Sequence, residues 1–292
     1  MEDLSQRISS VRADREHGSR WLVRQTILLL RDLASEDGYT AEQRFERARQ
    51  AGHELARARP AMAALAGAIW RIFAESEDAA GIARVAEQLL AEYDQAIARL
   101  TAFMRPQLQG TIMTHSLSGT VLEVLRACIP PIEQLIVLEG RPLYEGRTVV
   151  SQLSGETVRL TLITDAQADI FLPMCRALVV GADSILADGS VLNKAGTALL
   201  ARAARTHGVP LYILSETLKI APHSWTGDLA LLEEHPGSEV WSQAMPGVAV
   251  RNFYFDHTPA ELITQIVTEQ GTLSLAQIEQ QAAQLQRIAG LI

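Results

Sequence analysis

Two lysines and the residues around them are the side chains best suited to chemistry in this chain. Of its 26 basic residues 24 are arginines, and Lys194 and Lys219 are the only lysines. Asn193 directly precedes Lys194, and Asp183 lies a short way upstream. An ammonium and an amide, with an acid at the end of the preceding strand, can bind a phosphate and a hydroxyl. This grouping predicts a site for a phosphorylated small molecule, although two lysines left at the surface by an arginine-rich composition would give the same pattern.

A second group of candidates lies in the small, hydroxyl-rich turn 115–120, which includes Ser116. Such a turn can present backbone N–H groups and hydroxyls to an anion at the N-terminus of a helix. The alternative is an ordinary helix start capped by a serine or threonine. The chain contains neither a Walker A sequence nor a GxGxxG fingerprint, which disfavours a conventional nucleotide-binding fold.

Both groups follow predicted strands in the second part of the chain. Short β-branched runs alternate there with helical periodicity, which indicates a mostly parallel sheet covered on both faces. Ligands of such sheets bind at the carboxyl ends of the strands. The strand candidates are 111–114, 135–138, 158–163, 178–181, 211–214 and 248–253, and the helix candidates are 119–128, 166–174, 194–207, 259–269 and a last helix from Ser274. Asp256 fits either a cap of the helix at 259 or a contact to the site.

The first part of the chain has helical periodicity almost throughout. Apolar residues recur at three- and four-residue steps, for example Leu22, Leu29 and Leu33, and this pattern stops before Pro106. We therefore predict an α/β protein with a helical N-terminal domain at 1–105. A Rossmann-like, mostly parallel sheet domain at 106–292 follows it and holds most of the ligand site.

Composition narrows the class of protein. The 292 residues are 48% hydrophobic and 21% charged, a balance typical of a globular protein with a real core. The net charge of −8 offers no broad basic surface, so we expect no nucleic-acid partner. No apolar run is long enough to span a bilayer and no secretory signal is visible, so we expect a cytoplasmic protein with no membrane partner. Cys128 and Cys175 are too few for a disulfide framework or a cysteine-rich metal site, and we expect neither metal nor cofactor.

Four motifs in this order resemble a known family: LEGRPLYEGR at 138–147, GADSILADGSVLNKAGT at 181–197, ETLKI at 216–220 and NFYFDHTPAELIT at 252–264. The family joins the aldose–ketose isomerases of ribose 1,5-bisphosphate and methylthioribose 1-phosphate with the α, β and δ regulatory subunits of translation initiation factor 2B. The resemblance is strong over about 105–275. In the helical part it rests on HGSRW at 17–21 and ARPAM at 58–62.

The resemblance implies roles for individual residues. Asp183 matches the catalytic aspartate of the isomerases, and Asn193 and Lys194 match an Asn–Lys pair that contacts substrate. Both lysines of the chain fall in family motifs, which weakens the interpretation of them as accidental, although Lys219 could also be structural. The matches to residues that bind substrate or phosphate are Arg59, Gly18, Ser19, Asn193, Lys194 and Lys219.

One position departs from the isomerase pattern, because Ser116 stands where those enzymes have a cysteine that works together with the aspartate. A thiol, with a pKa near 8.5, exchanges a proton close to neutrality. A serine hydroxyl needs an adjacent base to do so. The neighbouring His115 is a poor candidate for that base, since successive residues of an extended segment point to opposite faces.

Two functions remain open at this point. The chain is an isomerase of a phosphorylated, ribose-type sugar, with Asp183 as the acid–base and Ser116 in place of the thiol. Alternatively it is a non-catalytic regulatory or assembly protein that binds a phosphosugar or a nucleotide. In either case the resemblance implies a homodimer or a larger homo-oligomer.

Overall fold

The computed structural model describes residues 4–13, 18–57, 62–243 and 245–289. Its first part is a bundle of helices that pack around Ile27, Leu30, Ile69 and Leu89, all almost fully buried. Side-chain caps fix two of the helix starts, since Thr40 and Gln43 form a capping box and the Asp78 side chain accepts from the Gly81 N–H at 2.7 Å. The helices are α1 (Leu4–Ala13), α2 (Ser19–Ala34), α3 (Ala41–Ala56), α4 (Ala63–Ala74) and α5 (Ala79–Met104).

The second part is built on a seven-stranded sheet. Six strands are parallel to their neighbours, and the seventh is an antiparallel edge strand. In spatial order the strands are β10 (Gly271–Leu273), β9 (Gln265–Thr268), β7 (Leu211–Leu214), β4 (Ala177–Val180), β1 (Gly110–Thr114), β2 (Ile132–Leu138) and β3 (Arg159–Ile163). The fold is therefore a helical N-terminal region followed by a mostly parallel sheet, as predicted. The division into domains at residue 105 stays a prediction.

Helices cover both faces of this sheet. The covering helices are α6 (Gly119–Ala127), α7 (Glu145–Leu153), α8 (Ala168–Phe171), α9 (Thr197–Thr206) and α10 (Leu275–Ala289). One core layer takes side chains from α5, α6 and α7, and the other from α8, α9 and α10. The central strands β4 and β7 consist of apolar and aromatic residues and are buried throughout, because neither of their faces meets water.

A small antiparallel sheet, absent from the sequence-based prediction, lies beyond the end of β4. It contains β5 (Ser184–Ile185), β6 (Val191–Lys194) and β8 (Phe255–Thr258), in the order β5, β6, β8. This sheet places Asn193 and Lys194 at the end of its central strand.

The strand order identifies where a ligand would enter. From β1 the chain adds β2 and β3 on one side, and it then returns to add β4, β7 and β9 on the other. The order thus reverses between the neighbouring strands β1 and β4. In open α/β sheets a crevice forms at such a reversal, outside the carboxyl ends of the strands.

Two predicted elements are wrong. The segment 248–253 is not a strand but an irregular, largely exposed segment. The helix predicted at 259–269 is a single 3₁₀ turn, Ala260–Leu262, followed by β9. Here the β-branched run from Ile266 to Thr268 favours a strand, and pairing with β7 satisfies its backbone.

The helical bundle packs directly on the sheet region. Helix α4 lies against the 3₁₀ turn Thr217–Lys219, and Leu218 belongs to the core of the helical part. A Cβ atom added to Gly67 would lie 2.2 Å from the Leu218 carbonyl oxygen, so only glycine permits this approach. Among the described residues, no helix has the length and apolar character required to cross a bilayer.

Candidate functional site

Asp183 lies in the bend that follows β4, at the strand-order reversal. Its backbone is fixed from two sides. The N–H of Asp183 donates to the Leu192 carbonyl at 2.9 Å, and the Ala63 N–H at the start of α4 donates to the Asp183 carbonyl at 3.2 Å. The small sheet and the helical bundle together hold this bend, while the side chain stays partly exposed.

The surroundings of Asp183 change its acidity. Burial raises the pKa of the Asp183 carboxyl to about 6, against the lowering effect of the positive charges on Lys219 and Lys194. The negative charges of Glu145 and Glu233 raise it further. A carboxyl that titrates near pH 6 can both give and take a proton close to neutrality. Glu145 and Lys194 therefore lie near enough to Asp183 for their charges to change its acidity.

The two residues at the end of β6 are almost completely buried. The Lys194 ammonium donates to Glu145 Oε1 at 2.9 Å and lies 4.2 Å from the centroid of the Tyr254 ring, a cation–π contact. The Asn193 amide donates to Thr197 Oγ1 at 2.9 Å. These contacts hold a positive charge and an amide carbonyl in place beside the crevice.

The second lysine contacts the backbone next to Asp183. Lys219 ends the 3₁₀ turn after β7, and its ammonium donates to the carbonyl of Ala182 at 2.6 Å. It therefore supports the Asp183 bend and also contributes positive charge there. The structural and the ligand-binding interpretations of Lys219 are both compatible with this position.

Ser116 follows β1, the strand next to β4, in a left-handed backbone conformation with φ of 66°. Its hydroxyl donates to Glu145 Oε2 at 2.5 Å, and the Leu117 N–H approaches the same oxygen at 3.4 Å. Glu145 is the first residue of α7, and a close approach fixes that helix start. A Cβ atom at Gly146 would lie only 1.8 Å from the Leu138 carbonyl oxygen.

The His115 ring contacts a different group from the one that the Ser116 hydroxyl contacts. Its Nε2 lies 3.1 Å from the Ala195 carbonyl oxygen, and burial lowers the pKa of the imidazole. A separate cavity of about 360 Å³ is lined by His115, Asp165 and mostly apolar side chains, but not by Asp183, Ser116 or Lys194.

The predicted phosphate contacts of the helical part are described only in part. Gly18 precedes α2 and Ser19 begins it, and both are accessible to solvent. The next residue, Arg20, donates to Glu216 Oε1 at 3.0 Å, which places the start of α2 beside the turn that carries Lys219. Arg59 lies outside the described residues.

The structure thus groups Asp183, Asn193, Lys194, Lys219 and Ser116 around one crevice. Sequence analysis missed three charged residues that complete these contacts: Glu145, Glu216 and Arg20. All three lie inside the family motifs LEGRPLYEGR, ETLKI and HGSRW. The motifs therefore indicated the right segments, but not which of their side chains make buried contacts. In the described part of the chain, no three His, Cys, Asp or Glu side chains are grouped as metal ligands.

The fold and the crevice define a class: an α/β protein in which a carboxyl with a raised pKa and two buried lysines lie at the reversal of the strand order. More specifically, the chain belongs to the initiation factor 2 subunit family, whose model matches residues 15–275.

The proteins similar to this chain fall into two groups, one named as isomerases and the other as initiation-factor subunits. A protein of Archaeoglobus fulgidus named ribose 1,5-bisphosphate isomerase is 30% identical over 287 residues, which cover 94% of this chain and 90% of that protein. A Pyrococcus abyssi protein named putative translation initiation factor eIF-2B subunit 2-like is 30% identical, covering 90% of this chain and 94% of the relative.

Solved structures agree with the fold. The Pyrococcus horikoshii translation initiation factor eIF-2B superposes with a TM-score of 0.81 at 30% identity, covering 94% of this chain and 97% of that one. The 5-methylthioribose 1-phosphate isomerase of the same organism has a TM-score of 0.74 at 23% identity, covering 99% of this chain and 88% of that one, and shows the shared fold.

Proposed function

We propose that this protein binds a phosphorylated ribose-type sugar and isomerises it from aldose to ketose. The proposal rests above all on the position of Asp183 at the strand-order reversal, where burial raises the pKa of its carboxyl to about 6 and the charges of Lys194 and Lys219 act on it. The lysines supply the charge that a phosphate needs, and the carboxyl supplies a proton near neutral pH.

The reaction needs no oxidant or reductant. In an aldose 1-phosphate the ring oxygen leaves C1 and takes up a proton, and the hydrogen on C2 moves to C1 with its bonding electrons. The hydroxyl proton on O2 is then lost as the carbonyl forms at C2. One proton is added and one removed, so a site with a proton donor and a proton acceptor suffices. Asp183 is the proposed donor.

The relatives support this substrate class. The 30% identical protein of Archaeoglobus fulgidus that extends over nearly the whole chain is named for an isomerase of ribose 1,5-bisphosphate. The conserved chemistry of such substrates is a phosphate, a ring oxygen and vicinal hydroxyls, which match cations, an acid and hydrogen-bonding groups, respectively. Arg59, Gly18 and Ser19 remain proposed phosphate contacts.

A ligand-binding test shows whether Lys194 belongs to the binding site. A phosphosugar at about a hundred times its Kd should stabilise the fold by about 2.7 kcal/mol. We expect thermal-shift measurements to detect this with ribose 1-phosphate, ribose 1,5-bisphosphate or methylthioribose 1-phosphate, and to show no shift for Lys194→Ala.

The matched control for that test is Arg99→Ala, which removes a positive charge from an exposed site on α5. This variant should keep the full ligand-induced shift. An equal shift in Lys194→Ala and wild type would remove Lys194 from the site, and the absence of any shift in wild type would contradict phosphosugar binding itself.

A second candidate function is a non-catalytic regulatory protein. Ser116 favours it, because the thiol of the isomerases is missing, and so does the similarity to proteins named eIF-2B subunits. This candidate predicts binding of AMP or a phosphosugar without turnover. Product analysis after long incubation with each aldose phosphate distinguishes the two.

We also propose that the chain associates with itself through the α/β part. Ile170, Met174 and Leu199, in and around the adjoining helices α8 and α9, expose apolar side chains to solvent. We expect light scattering at micromolar concentration to give at least twice the chain mass of 31.9 kDa. A measured mass near that of one chain would contradict self-association.

A further inference from the structure

We infer that Glu145 is the base for Ser116, and that this hydroxyl–carboxylate pair accepts the O2 proton in place of the missing thiol. The inference rests on the proposed isomerase function and adds a residue to it. A serine at this position lacks acid–base capacity only as long as no proton acceptor adjoins its hydroxyl.

The geometry supplies that acceptor. The Ser116 hydroxyl donates to Glu145 Oε2 at 2.5 Å, the short end of the range for a hydroxyl bound to a carboxylate. Ser116 also has a φ of 66°, which is uncommon for a residue other than glycine and costs energy. The backbone strain is therefore found at the same residue whose hydroxyl contacts Glu145.

The other contacts of Glu145 leave the pair ready for proton transfer. Lys194 binds the opposite oxygen, Oε1, at 2.9 Å, so the carboxylate is held with Oε2 directed at Ser116. Among the described residues, the only other hydrogen bond to Oε2 comes from the Leu117 N–H, at 3.4 Å. The Glu145 side chain is 23% exposed, and Ser116 is also partly exposed, so a ligand can reach the pair.

The proton transfers balance. The O2 hydroxyl gives its proton to Ser116 Oγ while the Ser116 proton passes to Glu145 Oε2, and the electron pair left on O2 forms the C2 carbonyl. Asp183 protonates the ring oxygen that leaves C1. After one turnover Glu145 has gained a proton and Asp183 has lost one, and exchange with water restores both.

A purely structural role for Glu145 is the competing explanation. It begins α7, and its contacts to Leu117 and Lys194 would also order the turn. A structural anchor would be needed equally with serine or cysteine at position 116. A base for serine would become dispensable when a thiol, with its own pKa near 8.5, takes over.

The experiment is a cycle of four proteins: wild type, Glu145→Gln, Ser116→Cys and the double variant. Isomerisation of ribose 1,5-bisphosphate and of methylthioribose 1-phosphate is measured together with ligand affinity. We expect Glu145→Gln to lower kcat by about 10²-fold or more in the serine background while affinity changes by less than about threefold. In the cysteine background the same change should lower kcat by less than about threefold.

The control is Glu123→Gln, which removes an exposed carboxylate that pairs with Arg126 on α6. It should leave kcat unchanged. Equal losses of kcat in the serine and cysteine backgrounds would show that Glu145 is a structural anchor and would overturn the inference. Full activity of Glu145→Gln in the serine background would also overturn it.

Two further outcomes separate the inference from the proposed function. An inactive wild type with an active Ser116→Cys variant would overturn the role of the Ser116–Glu145 pair while keeping the sugar-phosphate site. No turnover by any of the four proteins would overturn the isomerase function and the inference together.

Discussion

Two clusters of the molecule have the same composition, a hydroxyl, a glutamate and a cation, and differ in access to solvent. We call Ser116, Glu145 and Lys194 the crevice cluster and Thr120, Glu216 and Arg20 the sealed cluster. In the crevice cluster the hydroxyl and the cation lie 2.5 and 2.9 Å from the carboxylate, and in the sealed cluster 2.6 and 3.0 Å. The carboxylate side chain is 23% exposed in the first and 1% exposed in the second. The same three groups can serve catalysis only where a substrate reaches the carboxylate.

The sealed cluster joins the two parts of the chain. Arg20 comes from α2, Thr120 from α6, and Glu216 from the segment after β7. Arg20 also donates to the Tyr93 carbonyl at 2.8 Å and lies over the Tyr93 ring. A carboxylate that is 1% exposed suits this structural role, because water has no access to it and cannot compete with Arg20 and Thr120 for its Oε1.

The largest effect we expect is on stability, from Glu216→Gln. Breaking a buried ion pair costs about 3–5 kcal/mol, and the partial exposure of Arg20 places the expected loss near about 3 kcal/mol. Glu145→Gln should cost less, about 1–2 kcal/mol, because water reaches the position of the carboxylate and the buried Lys194 keeps its contact to the Tyr254 ring. Urea unfolding at pH 7, followed by tryptophan fluorescence, measures both. Equal losses would mean that exposure does not distinguish the two clusters.

A smaller effect, of opposite sign, is expected for Asp183→Asn. The Asp183 pKa of about 6 in the folded protein exceeds the unfolded value near 3.9. The folded state therefore binds the proton more tightly, and stability falls as pH rises from about 4 to about 6, then stays level. At 1.36 kcal/mol per pKa unit the ceiling is about 3 kcal/mol. Because the side chain is partly exposed, we expect the variant to be more stable than wild type by about 1–2 kcal/mol at pH 7.

Asp256 provides the control for that measurement. Burial also raises its pKa to about 6, although its carboxylate accepts from the backbone N–H groups of Gly196 and Ala198 at the start of α9. Asp183→Asn should thus remove only part of the pH slope between about 4 and 6, and Asp256→Asn should remove another part. If Asp183→Asn lowered stability at pH 7, the carboxylate would be a structural element rather than a destabilising functional one.

Local sequence patterns were sufficient for five of the six parallel strands. The strands β1, β2, β3, β4 and β7 lie within a few residues of their predicted positions, because each is a short apolar run bounded by polar or turn residues. The capping box at Ser274 and Gln277 also forms, and it starts α10 as predicted. These features depend on neighbours in sequence.

Features that depend on distant partners were missed. The small sheet is built of strands of two to four residues, too short for periodicity to show. Asp256 caps α9 instead of the helix predicted at 259, since β8 carries it alongside β6. Glu145 lies 29 positions from Ser116 in sequence, so only the folded chain shows that the serine has a base.

Gly67 makes the assembly of the crevice conditional on the helical part. Because Gly67 has no side chain, α4 packs closely against Leu218, the neighbour of Lys219. The Ala63 N–H at the start of the same helix donates to the Asp183 carbonyl. The helical part is synthesised first. The turn Thr217–Lys219 and the bend at Asp183 gain their contacts to α4 only when the sheet packs against that helix. The crevice is therefore fully formed only when both parts of the chain have folded and packed together.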